Sequence, residues 1–265
     1  MNSLSSPIDT ARAEAYEKYL VPHVFGPWAE YMVELAQPRL EDHALDLACG
    51  TGAATRLVAR RTVRTVGVDV DPAMLAVAQR HSDPALSIQW RCSDAGRLDF
   101  ADGTFDLCLC LQGLQHFAER ERAVKEVHRV LKPRGRLVAA VWARIDLNPG
   151  LLAVLHALQS EDIDASAFQR PFALGDAAAL EAVVRREEFS SIEVRLHERP
   201  ARFASVEAFL LALSVGSVAS REALQNVSQK RWSVFAEQIS KELAPFTSAE
   251  GLVIPYRAQV AIAAA

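Results

Sequence analysis

The chain lacks a strong charge of either sign. Its 29 Lys and Arg residues nearly balance 33 Asp and Glu residues, which leaves a formal net charge of -4 at pH 7. Proteins that bind nucleic acid usually present a basic surface to the phosphates. The composition therefore weighs against nucleic acid as a substrate or partner.

Long apolar runs are also missing. The longest uncharged apolar stretch, residues 208–220, is too short to cross a bilayer. Residues 1–7 have neither the basic start nor the apolar core of a signal peptide. We therefore expect no membrane span and a cytoplasmic protein.

Cysteine is scarce. None of the four cysteines forms a CxxC pair or lies at metal-ligand spacing from a histidine. Cys108 and Cys110 lie two apart on one expected strand and share a face, which favours core packing. We predict reduced thiols and no metal site, with thiol chemistry such as arsenic methylation as the alternative.

Strand and helix patterns alternate through the middle of the chain. Such alternation with short connections requires parallel strands and right-handed crossovers, so we predict an α/β fold. Two helices interrupted by prolines precede this region, and a mostly helical region with one alternating strand at 191–197 follows it. The predicted organisation is an N-terminal helical cap (1–42), a cofactor-binding core (43–148), a substrate lid (149–250) and a final strand (251–265).

The most informative segment is LDLACGTG at 45–52, an apolar strand that ends in an acid and breaks into a glycine turn. Gly50 and Gly52 can adopt positive φ and let a ligand lie against bare backbone. Two later strands also close on an acid, and ligands of parallel sheets bind outside the carboxyl ends of the strands. The three acids expected to converge on one ligand are Asp46, Asp69 and Asp94.

The spacing of these acids fits an adenosine. Asp69 lies about 20 residues after the glycine turn, where an acid hydrogen-bonds a ribose diol. Asp94 can accept from the exocyclic adenine amine, and the Ala95 amide can donate to a ring nitrogen. A nicotinamide dinucleotide is the alternative, although Thr55 stands where its GxGxxG pattern has the third glycine.

Four segments in series carry a family resemblance. They read LDLACGTG at 45–52, VGVDVDPAML at 66–75, SDAGRLDFADGTFDLCLCLQGLQHF at 93–117 and EVHRVLKPRGRLVAAVW at 126–142. In this order they resemble the class I S-adenosylmethionine-dependent methyltransferases, specifically the small-molecule enzymes of the ubiquinone and menaquinone type. The resemblance implies a Rossmann-like, doubly wound sheet of seven strands with the last one antiparallel, a helical cap and a helical lid.

The same resemblance implies S-adenosylmethionine as cofactor and S-adenosylhomocysteine as product. The methionine part would be held by Asp46 and the turn of Gly50, Thr51 and Gly52, and the ribose by Asp69. The adenine would lie between Val70 and Met74 with its edge on Asp94 and Ala95. Further cofactor contacts are expected from Tyr16, Tyr19 and Gln112.

Methyl transfer from a sulfonium mainly requires alignment and exclusion of water. His116, after the fourth strand, is the histidine placed by motif at the ligand face and is a candidate general base. Packing or a local hydrogen bond is the alternative role for its imidazole. Candidate acceptor contacts are Gln115, His116, Arg144, Asn148 and His23.

The acceptor is expected to be a small metabolite of aromatic or apolar character, because the lid segments carry apolar stripes. The Asn/Asp-Pro-Pro-aromatic signature of enzymes that methylate planar amides is absent after the fourth strand. O- or N-methylation is favoured, and C-methylation of an activated ring is the alternative. Two other classes remain: a cofactor-binding cyclase or non-catalytic subunit, and a nicotinamide oxidoreductase. The oligomeric state is left open.

Overall fold

The computed structural model describes residues 8–265, so the residues examined for a signal peptide, 1–7, lie outside the described part. Its central feature is a single mixed sheet. The strands are β1 (His43–Leu47), β2 (Arg64–Asp69), β3 (Ile88–Cys92), β4 (Phe105–Leu111), β5 (Leu131–Trp142), β6 (Ser191–Phe203), β7 (Thr247–Ser248) and β8 (Gly251–Ala264).

Helices occupy the connections and the N-terminal region. They are α1 (Ala11–Tyr19), α2 (Gly26–Ala36), α3 (Ala53–Ala59), α4 (Pro72–Arg80), α5 (Arg120–Val130), α6 (Pro149–Ser160), α7 (Ser166–Gln169), α8 (Ala177–Val184), α9 (Val206–Gly216), α10 (Val218–Leu224) and α11 (Trp232–Leu243). A π-helical turn joins α1 to α2. None of the helices in residues 8–265 is long and apolar enough to cross a membrane.

The strands lie in the order β3-β2-β1-β4-β5-β8-β6. Strands β1 to β5 are parallel, and β8 is antiparallel to both β5 and β6. The chain changes direction across the sheet between β1 and β4, which is the switch point where such folds bind ligands. The predicted Rossmann-like sheet with an antiparallel last strand is confirmed. The short β7, which pairs with the start of β8, adds an eighth strand to the seven predicted.

Strand β6 extends further than the sequence predicts, to Phe203 rather than to residue 197, whereas β8 lies within the predicted range of 251–265. The two strands pair from Ser191 opposite Ala264 to Phe203 opposite Leu252, whereas β5 ends at Trp142 opposite Ala258. Residues 198–203 and 252–257 therefore project past the carboxyl end of β5. We call these two segments the two-stranded arm. It stands above the edge of the sheet where ligands of this fold class bind.

The helices form layers on both faces of the sheet. Residues of α2 and α6 join one face of β5 and β8 in the largest apolar cluster, and α5 and α8 pack in a second cluster on the opposite face. In the chain, helices α9 to α11 lie between the two strands of the arm, and α9 packs against α1. Within the region predicted as a lid, α6 and α8 thus line the sheet. Helix α10 packs against α7 and α9, and α11 packs against α6 and α9.

Candidate functional site

Two loops meet at the switch point of the sheet. The loop after β1 has positive φ at Ala48, Gly50 and Gly52, and the loop after β4 begins with Gln112 at φ 57°. A Cβ atom on Gly113 would lie 2.5 Å from the Cβ of Ala48, so the two loops are in direct contact. Glycine at 113 is therefore needed for the close approach of the two loops.

Asp69, at the end of β2, fastens the glycine loop. Its Oδ2 accepts from the Gly50 amide at 2.8 Å, and its Oδ1 accepts from the Asp71 amide at 2.9 Å. Burial raises the pKa of Asp69, although both backbone hydrogen bonds oppose the rise. Each oxygen keeps a free lone pair, so the carboxylate can accept further hydrogen bonds from a diol.

Asp46, near the end of β1, is buried, and only one of its two carboxylate oxygens accepts a hydrogen bond in the described chain. Thr55 donates to Oδ2 at 2.5 Å, while Oδ1 has no partner within residues 8–265. Burial raises the pKa of Asp46 to about 7, and the nearby Asp69 adds to the rise. The Thr51 hydroxyl is also buried without a partner in that part of the chain. Because buried polar groups are normally paired, these two atoms indicate a ligand at the loop.

A cavity of about 270 Å³ opens beside these acids. It brings together five of the residues that the sequence places at the site: Asp69, Val70, Asp94, Ala95 and His116. Asp94 forms a tight turn by accepting from the Gly96 amide at 2.7 Å, and Val70 is 68% exposed. The volume is at the lower limit of ordinary ligand pockets, and the lining combines acids with apolar surface.

Tyr16 of α1 covers the glycine loop. A Cβ on Gly50 would lie 3.9 Å from Cε1 of Tyr16, whose ring contacts Phe25 at a centroid distance of 4.8 Å. Burial raises the pKa of Tyr16, and the neighbouring carboxylates of Asp69, Glu17 and Asp46 raise it further. Its phenol is thus protonated and available as a hydrogen-bond donor near the two acids.

Ion pairs hold α1 to the core. Arg12 pairs with Asp71, Glu14 with Arg80, and Glu17 with Arg56, the last at 2.8 Å. The Glu17 and Arg56 side chains are only 12% and 16% exposed, so their pair is shielded more than the others. Charged groups therefore fasten the helix that covers the loop.

Residues 45–139 match the family model described as a methyltransferase domain. This segment of the chain is a methyltransferase domain. The demethylmenaquinone methyltransferase of Thermus thermophilus is 39% identical over 114 residues, or 42% of this chain and 52% of that protein. The chain thus spans about half the length of the curated relative it matches.

Solved structures extend the likeness of this methyltransferase fold to nearly the whole chain. The YcgJ protein of Bacillus subtilis has a TM-score of 0.60 at 16% identity, covering 89% of this chain and 97% of that one. The phosphoethanolamine N-methyltransferase 2 of Haemonchus contortus, solved with S-adenosylmethionine, has a TM-score of 0.60 at 19% identity, covering 95% of this chain and 56% of that one. At these identities the likeness concerns the fold alone.

Several residues that the sequence assigns to the methyltransferase site lie elsewhere. Tyr19 is half-buried against the largest apolar cluster and lines a surface hollow on α1, with the Lys18 ammonium 4.8 Å from its ring centroid. Met74 packs in a small cluster with Ala13 and other helix residues rather than in the cavity. His23 lines a separate groove under the arm, where its ring lies 4.9 Å from that of Phe203.

Arg144 and Asn148 are engaged with the protein itself. Arg144 is exposed and pairs with Asp146 at 2.9 Å. Asn148 is 1% exposed; its amide donates to the carbonyls of Ala143, Arg144 and Arg257, and its oxygen accepts from the Arg257 amide. Asn148 therefore joins the end of β5 to β8, and the structure does not bring either side chain to the cavity.

The loop after β4 of the methyltransferase domain carries two glutamines and His116. Gln115 donates to Gln112 at 2.7 Å, which leaves Nε2 of Gln112 and Oε1 of Gln115 buried without a partner within residues 8–265. His116 lines the cavity, and in the described part of the chain no side chain hydrogen-bonds its imidazole. Partial burial lowers its pKa, helped by Arg120 and Arg170. The imidazole is therefore neutral at pH 7 and can accept a proton, but no neighbour orients it.

A second cavity of about 60 Å³, which we call the aromatic chamber, lies between the end of β5, strand β8, the N-terminal π-helical turn and helices α6, α7, α9 and α10. Its ring-bearing lining residues are Phe25, Trp142, Phe168, Phe172 and Tyr256. A ring-sized ligand needs more space than this, so occupancy requires the lining helices to move apart. Because the rings come from distant segments, the sequence offers no local motif for the chamber.

Trp90 of β3 is a residue that the sequence analysis missed. A Cβ on Gly52 would lie 2.6 Å from its ring, and a Cβ on Gly67 would lie 2.5 Å from it. The indole therefore fills the space under both glycines. Gly52 is needed for its φ of 82° and for the space that the Trp90 ring occupies, and the ligand contact expected of its bare backbone stays a prediction.

The described residues contain no cluster of three or more His, Cys, Asp or Glu side chains suited to a metal ion. All four cysteines are free, and Cys108 and Cys110 are buried. Burial raises the pKa of both thiols, so neither is a ready nucleophile at neutral pH.

Proposed function

We propose that the chain transfers a methyl group from S-adenosylmethionine to a small, largely apolar ring compound. The observation that carries the proposal is the acid-lined cavity at the switch point, together with the unpartnered atoms Oδ1 of Asp46 and Oγ1 of Thr51. A cationic amino acid end attached to a nucleoside matches this combination of a buried carboxylate and a ribose-binding acid.

The residues present fit the cofactor along its length. Asp46, Thr51 and the backbone of the glycine loop would hold the methionine end beneath Tyr16. Asp69 would accept from the ribose hydroxyls, since each of its oxygens keeps a free lone pair. Asp94, Ala95 and Val70 would surround the adenine within the cavity.

For methyl transfer, the protein mainly has to hold the acceptor in line with the methyl group and exclude water. When bound, the cofactor supplies an electrophilic methyl group, and its displacement leaves S-adenosylhomocysteine. Tyr16 and the helices next to α1 would exclude water, and the chamber rings would hold the acceptor in line. His116 would accept a proton where the acceptor must lose one, because its imidazole is neutral at pH 7.

The acceptor we propose is a planar ring of the hydroquinone kind. The support is the aromatic lining of the chamber and the name of the Thermus thermophilus relative, a demethylmenaquinone methyltransferase. The sequence favours O- or N-methylation, whereas a ring acceptor also permits attack through carbon. Mass spectrometry and NMR of the product from a hydroxylated naphthalene identify the methylated atom.

Calorimetry tests the cofactor assignment directly. S-adenosylmethionine and S-adenosylhomocysteine should bind, and NAD should not. Asp69→Ala should weaken binding by about 10- to 150-fold, because hydrogen bonds to a charged group contribute roughly 1.5 to 3 kcal/mol. Asp99→Ala is the matched control, since Asp99 is an exposed acid outside the cavity and its loss should change nothing.

Tight NAD binding without heat from S-adenosylmethionine would end this proposal. Incubation with a labelled methyl donor and the naphthalene acceptor then separates an enzyme from a protein that only binds the cofactor. Transfer of label to the acceptor supports catalysis. Binding without any labelled product supports the cyclase or non-catalytic alternative.

A further inference from the structure

Tyr256 lines the aromatic chamber, and its hydroxyl is a buried polar group without a partner in the described chain. Tyr256 lies on β8 in the two-stranded arm and is 3% exposed. Burial raises its pKa, so the phenol stays protonated at any working pH. Phenylalanine would fill the same space without this unpaired group.

The other hydroxyls of the chamber are already bonded. Ser220 donates to the Ser217 hydroxyl at 3.0 Å, and Ser217 also caps helix α10 by accepting from the Ser220 amide. The remaining lining is dominated by aliphatic and aromatic side chains. Among buried side-chain atoms of the lining in the described chain, Tyr256 alone has an unmet hydrogen bond.

A row of rings connects Tyr256 to the cofactor loop. The Tyr256 and Trp142 centroids are 5.3 Å apart, those of Trp142 and Phe25 are 6.0 Å apart, and those of Phe25 and Tyr16 are 4.8 Å apart. Tyr16 covers Gly50 at the other end of this row. A planar ligand lying along the row would have one end at Tyr256 and the other toward the cofactor.

We propose that Tyr256 is the residue that selects and orients the acceptor, by hydrogen-bonding an oxygen substituent on a fused or single aromatic ring. The inference rests on the proposed methyl transfer. It adds that the protein recognises the acceptor by its oxygen substituent. A site with a buried polar group rejects analogues that lack the partner atom, since the group then stays unpaired. The substrate class is thus an oxygen-bearing aromatic ring rather than a plain hydrocarbon or an aliphatic chain.

The test uses the full chain loaded with S-adenosylhomocysteine and two probes of the same shape, 1-naphthol and naphthalene. Equilibrium dialysis gives the dissociation constant of each. The wild type should bind 1-naphthol about 10-fold more tightly than naphthalene, although naphthalene is the more apolar probe. Tyr256→Phe should lose this preference by weakening naphthol binding alone, with the affinity for naphthalene retained.

Tyr31→Phe is the matched control. Its hydroxyl bonds Nδ1 of His197 at 2.6 Å outside the chamber, so the preference for naphthol should stay as in the wild type. Calorimetry with S-adenosylmethionine on all three proteins should give equal affinities. A Tyr256→Phe protein that keeps the preference overturns the inference, as does a wild type that binds neither probe. Absence of cofactor binding in the wild type would instead contradict the proposed function itself.

Discussion

Asp46→Asn is the most informative single change for this fold. Asp46 is buried and accepts one hydrogen bond from Thr55, and its second oxygen has no partner in the described chain. Asparagine has nearly the same shape and keeps an oxygen for Thr55, but it carries no charge at any pH. The comparison of the two proteins therefore isolates the cost of ionising a carboxylate at this position.

The sign of the effect follows from the pKa. Asp46 has a pKa of about 7 in the fold and 3.8 when unperturbed, so the folded protein binds the proton more tightly than the unfolded chain. Its contribution to stability is greatest below pH 4 and falls as the pH rises to about 7. The shift of about 3 pH units corresponds to a loss of roughly 4 kcal/mol.

Urea denaturation at pH 4, 6 and 8 measures the free energy of unfolding of both proteins. The stability of Asp46→Asn relative to the wild type should rise by roughly 4 kcal/mol between pH 4 and pH 8. Asp106→Asn is the control of opposite sign. Burial is the largest influence on Asp106, but hydrogen bonds from Lys132 and the His43 amide outweigh it and lower the pKa. Equal pH profiles for the wild type and Asp46→Asn would refute the argument.

Three further outcomes are expected. S-adenosylmethionine should bind more tightly as the pH rises from 6 to 8, because ionised Asp46 attracts its positive charge, and Asp46→Asn should abolish this trend in calorimetry. Gly67→Ala should lower the melting temperature through contact with Trp90, and adding Trp90→Leu should restore part of the loss; purely additive effects would contradict the contact. His116→Ala should lower turnover by less than about 10-fold and act mainly on the acceptor KM, because no neighbour orients the imidazole; a drop of about 10³-fold in kcat would make it the general base.

The core of the fold could be predicted from the sequence because its strands end in recognisable signals. Each of the first three strands has an acid within two residues of its C-terminal end, at Asp46, Asp69 and Asp94. The β6 half of the arm, residues 198–203, could not be predicted in this way. Pro200 and Pro255 face each other across the arm, and proline within an alternating run argues against a strand. Here β6 is an edge strand, where a missing amide donor is tolerated.

Some residues of the site could likewise be predicted from the sequence and others could not. The carboxylates and the glycine loop come from one continuous motif region, so the sequence could predict that Asp69, Asp94 and Ala95 share a cavity. Trp90 and Tyr256 act through partners far away in the chain, and no local pattern indicates such contacts. Asn148 follows β5 and is a predicted acceptor contact, yet its side-chain amide joins two strands. The position of a residue after a strand predicts that it lies near the ligand-binding edge of the sheet. Its hydrogen bonds determine whether its side chain faces the ligand.

The ion pairs of α1 have a kinetic consequence. The helix covers the glycine loop through Tyr16, and it is fastened by pairs of Arg12, Glu14 and Glu17 with the core. A nucleoside held under such a cover leaves only after the cover detaches, so the rate of product exchange depends on how firmly these charges attract each other. Salt weakens exposed pairs far more than apolar contacts. If product release limits turnover, the turnover rate should therefore increase with ionic strength. The rate then depends on the salt concentration and not only on the methyl-transfer step.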